Sequence, residues 1–439
     1  MESTPSPSWW KVALVWLLAR VIVFAAWAGF GLTTQNDVLY YWHRLHLMWT
    51  GVNTPADTLV EYPTPVIWLL SIPYGVARLL VGGAADYSSR PVFVGAFIGC
   101  MLLLDLLFAV ALWRAGGDQR RFAVLFWVLF TFVMGPTTYM RFDLIPAVLG
   151  GLAGLALLAR DRGRAGAYIG VGAAIKLWPA LLWPATLGGS RRAQRTASVA
   201  FWGVGGGLAV ASLLHAGWHR LLSPLTWQSG RGLQIESVAA TPAMLLRGFA
   251  PEQYRVAVSR WQAFEIAGPG TSTLLSLATL ATALGIAALA GAYVLWLRRP
   301  DRTVTDALLL MVLVIVVTIV TNKTFSPQYM MWLGGPLAAL LAASGQPGAA
   351  QSTPSRRQVR HLAYWVLGLT LGTQLVYPIL YEPLVHGGSL LIPATLVLVA
   401  RNVAMVWFTA WLVRLVWRTL HRTGSSRADR RRGVRKVAR

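Results

Sequence analysis

The sequence from residue 9 is WWKVALVWLLARVIVFAAWAGFGL (residues 9–32), followed by TTQNDVLYY (residues 33–41). The first stretch is apolar and long enough to cross the ~30 Å hydrocarbon core of a bilayer as an α-helix. Its length, and the lack of a small-residue cleavage pattern, indicate a retained first helix and not a signal peptide. Because Lys11 and Arg20 bias this helix to start in the cytoplasm, we expect it to deliver Asp37 to the outer face.

The composition of the whole chain agrees with a membrane protein. Of its 439 residues, 56% are apolar and only 13% are charged, whereas a soluble chain carries about 25% charged residues. Apolar runs of membrane-spanning length recur along the sequence, and weak strand alternation argues against an outer-membrane barrel. The single cysteine, Cys100, lies in one of these runs, so no intrachain disulfide is possible. The sequence therefore predicts an all-α polytopic membrane protein.

The formal net charge of +23 comes from cations that cluster between the apolar runs and in the carboxyl-terminal tail. This is the pattern of cytoplasmic loops under the positive-inside rule, and it argues against a nucleic-acid partner. We expect residues 1–417 to form one integral membrane domain. Residues 418–439 are expected to form a basic cytoplasmic tail that binds anionic lipids. Both termini are then cytoplasmic.

Apolar runs and loop charges together predict about ten full spans and two partial ones. A first external loop covers residues 33–90. In this loop the amphipathic, aromatic stretch YYWHRLHLMW (residues 40–49) is typical of a helix that lies in the membrane interface. The apolar residues 63–81 are placed at the outer surface, because a span there would turn the basic loop 114–121 outward. A second, long external loop covers residues 215–270.

Residues 166–187 form an unusual apolar block. Basic loops flank it on both sides, and KLWP (residues 176–179) interrupts it. Two half-helices that enter and leave on the cytoplasmic side fit both facts. Broken helices at membrane depth are tolerated only where they line a cavity or are buried in protein. On this topology Lys176 belongs to a cytoplasmic half-helix, which would keep it away from the outer face.

Polar and ionisable side chains gather in the predicted outer segments, although these segments are far apart in sequence. Such groups are costly at or near membrane depth and mark function by default. A helical bundle could bring them to one cavity. The candidates are Asp37, His43, Arg44, His46, Glu61, Arg141, Asp143, Gln228, Arg231, Gln234, Glu236, Lys323 and Gln328.

This mixture of residues suits one kind of chemistry. The sequence has no zinc-protease, serine-hydrolase or nucleotide-binding motif. His43 and His46 could ligate a metal, but a helix lying on the surface explains their spacing more simply. A carboxylate with several cations suits transfer from a lipid phosphate. The carboxylate removes the proton of an acceptor hydroxyl, and Arg and Lys neutralise the phosphate as its charge grows. Phosphate is already a good leaving group, so no acid is needed.

Each of these candidates also has a purely structural explanation. Asp37 can be only the polar end of a helix, and Arg141 and Asp143 can form an ion pair at a helix start. The remaining cations can be a snorkelling lysine and two ordinary loop charges: Lys176, Arg231 and Lys323.

Taken together, several short motifs resemble a known family. The chain resembles the polytopic GT-C glycosyltransferases, and more closely glycosyltransferase family 87. That family contains the actinobacterial polyprenyl-phosphate-mannose-dependent α-mannosyltransferases of phosphatidylinositol-mannoside and lipomannan synthesis. The motifs are spread over residues 30–335, and their order and spacing carry the resemblance. They are ND at 36–37 with Tyr40, EYP at 61–63, MRFDLIP at 140–146, AIKLWP at 174–179, GRGLQIES at 230–237 and KTFSPQY at 323–329.

The resemblance implies a fold and a mechanism. The fold would be that of a GT-C enzyme with about 10–12 transmembrane helices, including half-helices, and interfacial helices in the first external loop. Asp37 occupies the place of the general base. The donor would be a sugar on polyprenyl phosphate, with its headgroup at the outer face and its tail between helices. Transfer would invert the anomeric centre, and neither a metal nor another cofactor would be needed.

The resemblance also implies roles for the remaining site residues. Lys323 and Arg231 are expected to bind the donor phosphate, and Arg141 and Lys176 are the further candidates for this contact. The acceptor is expected to be a glycolipid. The residues expected at the hydroxyl groups of the sugar or acceptor are Glu61, Tyr62, Asp143, Gln234, Glu236 and Gln328.

Alternatives remain open at this point. A flippase for lipids or lipid-linked sugars would use the same cavity and cations but would need no single base. A solute transporter would need discontinuous helices in matched halves, whereas the sequence shows one broken block and no internal repeat. Among enzymes, a polyprenyl-phosphate-dependent pentosyl (arabinofuranosyl) or glucosyl transferase is compatible with the motifs. Glu61 is the alternative base to Asp37.

Overall fold

The structure of the protein is a computed structural model that describes residues 9–30, 33–82, 88–346 and 354–421. Residues 422–439, which make up most of the predicted basic tail, lie outside this part of the chain. Within the described ranges the chain folds into fifteen α-helices and one two-stranded sheet. The class of the fold is therefore all-α, as the apolar periodicity predicts.

The helices follow one another with short connections. In chain order they are α1 (Trp9–Phe30), α2 (Asn36–Trp49), α3 (Pro65–Leu80), α4 (Ser89–Ala115), α5 (Arg120–Val133), α6 (Leu144–Leu158), α7 (Arg162–Ile175), α8 (Arg191–Ser229), α9 (Thr241–Phe249), α10 (Thr271–Arg298), α11 (Val304–Thr321), α12 (Met331–Ala343), α13 (Arg356–Gln374), α14 (Tyr381–His386) and α15 (Leu391–Leu420). Between α9 and α10, β1 (Arg255–Val258) pairs antiparallel with β2 (Phe264–Ala267).

Full-length and half-length helices are combined in one bundle. Among the described helices, seven are long and apolar enough to cross a membrane, namely α1, α4, α8, α10, α11, α13 and α15. Four others, α5, α6, α7 and α12, have only 13 to 15 residues. A helix of that length rises by about 20–22 Å, which is less than the ~30 Å hydrocarbon core. The mixture of spans and half-helices was predicted, but half-helices are more numerous than the two partial spans expected.

The half-length helices occupy the middle of the bundle. All residues of α12 are buried. The full-length helix α11 is buried over 78% of its apolar length, whereas α10 is buried over only 11%. The end of α5, the start of α6, the end of α7 and the start of α12 adjoin one polar region. Because these helices stop there, polar turns are held inside the protein and not at its surface.

Close backbone contact between α6 and α12 holds this centre together. Gly335 of α12 lies against Ala147 of α6, and a Cβ atom added at Gly151 would lie 2.9 Å from the Gly335 carbonyl oxygen. Small residues permit such close approach between membrane helices, where dispersion contacts replace the hydrophobic effect. The position of α12, and with it one wall of the polar region, depends on these glycines.

Gly335→Ala is expected to destabilise the protein by about 1–3 kcal/mol, because its methyl group would collide with the Ala147 carbonyl oxygen. The control is Gly207→Ala in α8, where an added Cβ meets no atom within 4 Å. The measurement is the thermal unfolding midpoint of the purified protein in detergent, followed by tryptophan fluorescence. Equal midpoints for the two variants would contradict the close packing of α6 and α12.

A buried ion pair joins α1 to α4. Arg20 donates to Asp105 at 2.7 Å, and both side chains are almost completely buried. Asp105 also accepts hydrogen bonds from Trp127 at 2.7 Å and from the Tyr139 hydroxyl at 2.8 Å. Arg20 is therefore not a surface charge that only orients the first helix. It fixes α1 to α4, while Tyr139 ties in the turn that precedes Arg141.

The predicted break at residues 176–179 is confirmed. α7 ends at Ile175, Lys176 is extended, and a 3₁₀ helix follows over Trp178–Thr186. Arg162, at the start of α7, donates to the Thr186 carbonyl oxygen at 2.6 Å. The segment therefore runs from one end of the bundle to the level of Lys176 and returns to its starting point.

The segment 215–270 is more ordered than a simple loop. α8 is broken at Gly217, whose φ of 77° lies in the left-handed region, close to residue 215, where the loop was predicted to begin. The chain then continues as a second helical stretch to Ser229, which was predicted as loop. After the kink, Arg220 is fully buried and donates to the carbonyl oxygens of Leu59 and Tyr62. The second half of α8 therefore holds the first external loop in place.

Candidate active site

The turn between α5 and α6, residues 139–143, forms the centre of the polar region. Arg141 Nη1 forms an ion pair with Asp37 Oδ2 at 2.7 Å and also donates to the Thr34 carbonyl oxygen at 3.3 Å. These contacts join the start of α2 to the start of α6, across more than 100 residues of sequence. The structure therefore brings Asp37 and Arg141 together, and it gives Arg141 a carboxylate partner.

The Asp37 side chain is partly exposed although it lies in a densely packed region. It is 33% exposed, whereas that of Arg141 is 10% exposed. Burial raises the pKa of Asp37 above its ordinary value; Arg141 acts against this rise, and Asp143 adds to it. A carboxylate that is both partly exposed and desolvated is accessible to a substrate hydroxyl. A raised pKa makes this group a stronger base than a free aspartate.

The second ion pair of the site was not expected. Lys176 Nζ lies 2.6 Å from Asp143 Oδ1, and the Trp332 indole donates to the same oxygen at 2.7 Å. Lys176 also lies over the rings of Phe142 and Tyr329, at 5.2 and 5.8 Å. The expectation that Lys176 is remote from the outer candidates is wrong. α7 runs antiparallel to α6, so its end returns to the level at which α6 begins.

The two pairs also show that Arg141 and Asp143 do not form an ion pair with each other. Arg141 pairs with Asp37, and Asp143 pairs with Lys176, so each of the two neighbours binds a distant segment. Within this group two cations are matched by two carboxylates. The group is therefore close to neutral before any substrate binds.

Glu61 and Tyr62 lie beside this group, on the loop that Arg220 holds. Burial raises the pKa of Glu61, and a hydrogen bond with the Tyr40 hydroxyl acts against this rise. The Tyr62 ring packs edge-on against Phe142, with ring centroids 4.8 Å apart. The structure therefore places both predicted residues at the edge of the Asp37 site.

Gln234 connects the long external segment to the turn before α12. Its side-chain oxygen accepts from the Phe325 backbone N–H at 2.6 Å, and its amide donates to Ser326 at 3.2 Å. Its own backbone N–H donates to the Lys323 carbonyl oxygen at 3.1 Å. Gln234 thus positions the turn that carries Lys323. Gln328, on the same turn, is partly exposed.

Lys323 and Arg231 form a second cationic group. Lys323 donates to the Ser229 carbonyl oxygen at 2.9 Å, and Arg231 donates to the Trp261 carbonyl oxygen at 3.4 Å. Burial lowers the pKa of Lys323, as does the charge of Arg231, while Glu265 acts in the opposite direction. Glu265 also accepts from the Gly232 backbone N–H at 2.9 Å. Lys323 and Arg231 lie near one carboxylate, that of Glu265, so this group has an excess of positive charge.

Glu236 is the most deeply buried predicted site residue. Its side chain is 1% exposed, and the Arg401 guanidinium lies 4.0 Å from it. Neither carboxylate oxygen of Glu236 accepts a hydrogen bond of good geometry. Burial raises the pKa of Glu236 to about 8, although Arg401 and the Tyr381 hydroxyl act against this rise. The carboxyl group is thus poised between its two charge states near neutral pH.

Stability is expected to fall with rising pH because of Glu236. Its folded-state pKa of about 8 exceeds its ordinary value of 4.5, so the folded state binds this proton more tightly than the unfolded state. The associated stability is complete below about pH 4.5 and is lost as the pH rises through about 8. Over this window the loss should be on the order of a few kcal/mol.

The measurement is the unfolding midpoint in detergent between pH 5 and pH 9, for the wild type and for Glu236→Gln. The glutamine variant should show a flatter pH dependence, since it is neutral throughout. Glu252→Gln, on the exposed surface of the same segment, is the control and should keep the wild-type slope. A wild-type slope in Glu236→Gln would contradict the assignment.

Several residues that shape the site escaped the sequence analysis. An arginine inside the long apolar run of α15 is a signal that could have identified Arg401. Trp332, Tyr377 and Tyr381 carried no such signal, because aromatic residues are abundant throughout the chain. Their place in the site is known only from the structure, which puts them next to charged site residues.

The described residues also bear on the histidine pair in α2. His46 stacks on the Trp42 ring, with centroids 4.8 Å apart, and lies 3.3 Å from the Tyr74 hydroxyl, while His43 is exposed. Within the described part of the chain, no three His, Cys, Asp or Glu side chains are grouped so that they could hold a metal ion.

Comparison with known proteins gives the family. A family model described as glycosyltransferase family 87 matches residues 62–327, which is more than half of the chain. The chain belongs to glycosyltransferase family 87. No curated protein and no solved structure matches the sequence. Since family 87 is a GT-C membrane family, the protein is a multi-pass membrane glycosyltransferase with a GT-C fold, as the motifs predict.

The family 87 match covers only part of the site. It contains the Arg141 turn, both residues of the Asp143–Lys176 pair, and the segment from Arg231 to Lys323. Asp37 and Glu61 precede the matched residues, and Arg401 follows them. Membership of the family therefore supports glycosyl transfer, whereas the choice of base rests on the geometry around Asp37.

Proposed function

We propose that this family 87 enzyme transfers mannose from polyprenyl phosphate to a lipid or glycolipid acceptor of the phosphatidylinositol-mannoside or lipomannan type. Transfer takes place at the outer face of the cytoplasmic membrane, and both termini of the chain are cytoplasmic. Family membership supports a glycosyl transfer in the membrane. The donor and acceptor rest on the resemblance of the motifs that surround the site.

The observation that carries the mechanism is the Asp37–Arg141 pair. Asp37 is partly exposed, is desolvated and is held in one orientation by a buried guanidinium. In the proposed reaction, Asp37 takes the proton of the acceptor hydroxyl as its oxygen attacks the anomeric carbon. The bond between this carbon and the phosphate oxygen breaks, and polyprenyl phosphate leaves as an anion. Attack from the opposite face inverts the anomeric configuration.

The donor phosphate is assigned to the group formed by Lys323 and Arg231. These two cations lie near one carboxylate, that of Glu265, whereas Arg141 and Lys176 each form an ion pair with a carboxylate of their own. A phosphate gains more from a group with excess positive charge than from a neutral one. The leaving phosphate also acquires charge in the transition state, which the same cations stabilise.

Lys323→Gln is expected to lower kcat/KM for the donor by about 10- to 100-fold, since a charge-assisted hydrogen bond contributes roughly 1.5–3 kcal/mol. Steady-state transfer assays with varied donor concentration measure this effect. Arg260→Gln is the matched control, because Arg260 is an exposed cation of the same external segment. An unchanged kcat/KM in Lys323→Gln would move the phosphate site to Arg141 or Lys176.

The proposed function is tested with purified protein in nanodiscs, given radiolabelled polyprenyl-phosphate mannose and an envelope lipid extract in the presence of EDTA. Labelled glycolipid is the expected product, and its identification names the acceptor. A parallel reaction contains polyprenyl-phosphate arabinofuranose. If only arabinose is transferred, the transferred sugar is arabinose and not mannose. Translocation of the donor across liposome membranes without any product would support the flippase and reject the transferase.

A further inference from the structure

A continuous set of polar side chains connects the Asp37 site to Glu236. The Tyr377 hydroxyl lies beside the Arg141 guanidinium, which is the partner of Asp37. The rings of Tyr377 and Tyr381 meet edge to face, with centroids 4.9 Å apart and an interplanar angle of 86°. The Tyr381 hydroxyl in turn lies beside the Glu236 carboxylate. Two carboxylates from distant parts of the chain thus belong to one polar wall.

This wall does not satisfy its own hydrogen bonds. Both carboxylate oxygens of Glu236, and Nε and Nη1 of Arg401, are buried without a hydrogen bond of good geometry, and the Tyr381 hydroxyl is a donor that lies beside Glu236. Buried polar groups in proteins are hydrogen-bonded in at least about nine cases out of ten. Acceptors and donors that remain incompletely satisfied at one place indicate a ligand that supplies both kinds of group.

The signs of the charges narrow the class of ligand. The wall carries Glu236 beside Arg401 at one end and Arg141 beside Asp37 at the other, so it presents no excess of either charge to an anion or a cation. A neutral polyhydroxyl compound suits such a wall, because each hydroxyl group both donates and accepts. Tyr377 and Tyr381 are partly exposed, so their rings and hydroxyls form the accessible face. Aromatic faces combined with hydroxyl groups suit the apolar C–H face and polar edge of a sugar ring.

We propose that Tyr377, Tyr381 and Glu236 form the subsite for the hydroxyl groups of the transferred sugar, with Arg401 as the residue that positions Glu236. This inference rests on the proposed function, because the sugar must lie between this wall and Asp37. Tyr377 and Tyr381 follow the segment that matches family 87. Recognition of the sugar therefore depends on a part of the chain outside that segment.

The experiment compares polyprenyl-phosphate mannose with its 2-, 3-, 4- and 6-deoxy analogues as donors. The enzymes are the wild type, Tyr377→Phe, Tyr381→Phe and Tyr364→Phe. Tyr364 is the matched control, because it lies on α13 with 57% of its surface exposed. Each preparation is tested with all donors, so that the ratio of kcat/KM values is independent of the fraction of folded enzyme.

The wild type is expected to lose about tenfold or more in kcat/KM on at least one deoxy donor. With the complete mannose donor, kcat/KM of Tyr381→Phe or Tyr377→Phe should be lower than that of the wild type by about the same factor. Replacing mannose by that deoxy donor should then lower kcat/KM of the variant little further, because the hydroxyl and the tyrosine form the same contact. Tyr364→Phe should keep the wild-type ratios. If Tyr377→Phe and Tyr381→Phe both keep the wild-type ratio of kcat/KM between mannose and its deoxy analogues, the subsite is overturned and the proposed function is not affected. No transfer of any of these sugars by the wild type would overturn the proposed function, and the subsite with it.

Discussion

Asp37→Asn is expected to reduce kcat by about 10²–10⁴-fold, which is the usual contribution of a positioned general base. Asparagine keeps the shape of the side chain and can still contact Arg141, so the substitution removes basicity with little change in packing. The effect should appear in kcat, because the proton moves only as the acceptor oxygen attacks. The measurement is transfer from polyprenyl-phosphate mannose at saturating donor and acceptor.

Two control variants make this test specific. Asp57→Asn changes an exposed carboxylate of the same external loop and should keep full activity. Glu61→Gln changes the alternative base, and we expect a smaller loss than in Asp37→Asn. The opposite order of these two losses would assign the proton transfer to Glu61. Normal transfer activity in Asp37→Asn would remove Asp37 from the proposed mechanism.

The pH profile of the wild type provides an independent test of the same residue. Burial raises the pKa of Asp37, and the carboxylate must be deprotonated to act as a base. Activity should therefore fall on the acid side at a higher pH than that of an ordinary aspartate.

Replacing one partner of the Asp143–Lys176 pair should destabilise the protein more than any other substitution proposed for this protein. The Asp143 side chain is 3% exposed, and it accepts from both Lys176 and the Trp332 indole. Asp143→Asn or Lys176→Met alone leaves one buried charge without its partner, which costs about 3–5 kcal/mol. The double variant removes both charges, so its loss should be smaller than the sum of the single losses. Unfolding midpoints in detergent, measured for the three variants, test this expectation.

Arg164→Gln is the control for this second prediction. Arg164 pairs with Asp161 on the surface, and its side chain is 76% exposed. Exposed pairs contribute at most about 1 kcal/mol, because water screens them. A loss in Asp143→Asn as small as that in Arg164→Gln would show that Lys176 and Asp143 do not depend on each other for burial.

The half-length helices explain why the site contains so many matched charges. α5, α6, α7 and α12 stop inside the protein, and the turns at their ends carry Arg141, Asp143 and Lys176 where water is scarce. Ions in such a place must be paired or hydrogen-bonded. The pairs therefore serve two purposes, because they permit helices to end within the bundle and they hold Asp37 in one orientation.

Some of these features could be predicted because their signals are local in sequence. The break at residues 176–179 followed from a proline inside an apolar block, and it is confirmed. The candidate residues followed from polar groups next to apolar runs. The helical stretch after Gly217 was not predicted, because the chain resumes as a helix beyond the kink. Arg20 was assigned to topology alone, since its buried partner, Asp105, is 85 residues away.

The sequence by itself determined that this is a polytopic membrane protein of the GT-C type, because hydropathy, charge bias and short motifs are properties of neighbouring residues. Only the tertiary structure decided which charges meet. Arg141 turns to Asp37 and not to Asp143, and Lys176 reaches Asp143 because α6 and α7 are antiparallel half-helices of nearly equal length. Pairing of this kind depends on where each helix ends and on the direction in which its last side chains point. Local sequence patterns predict neither of these.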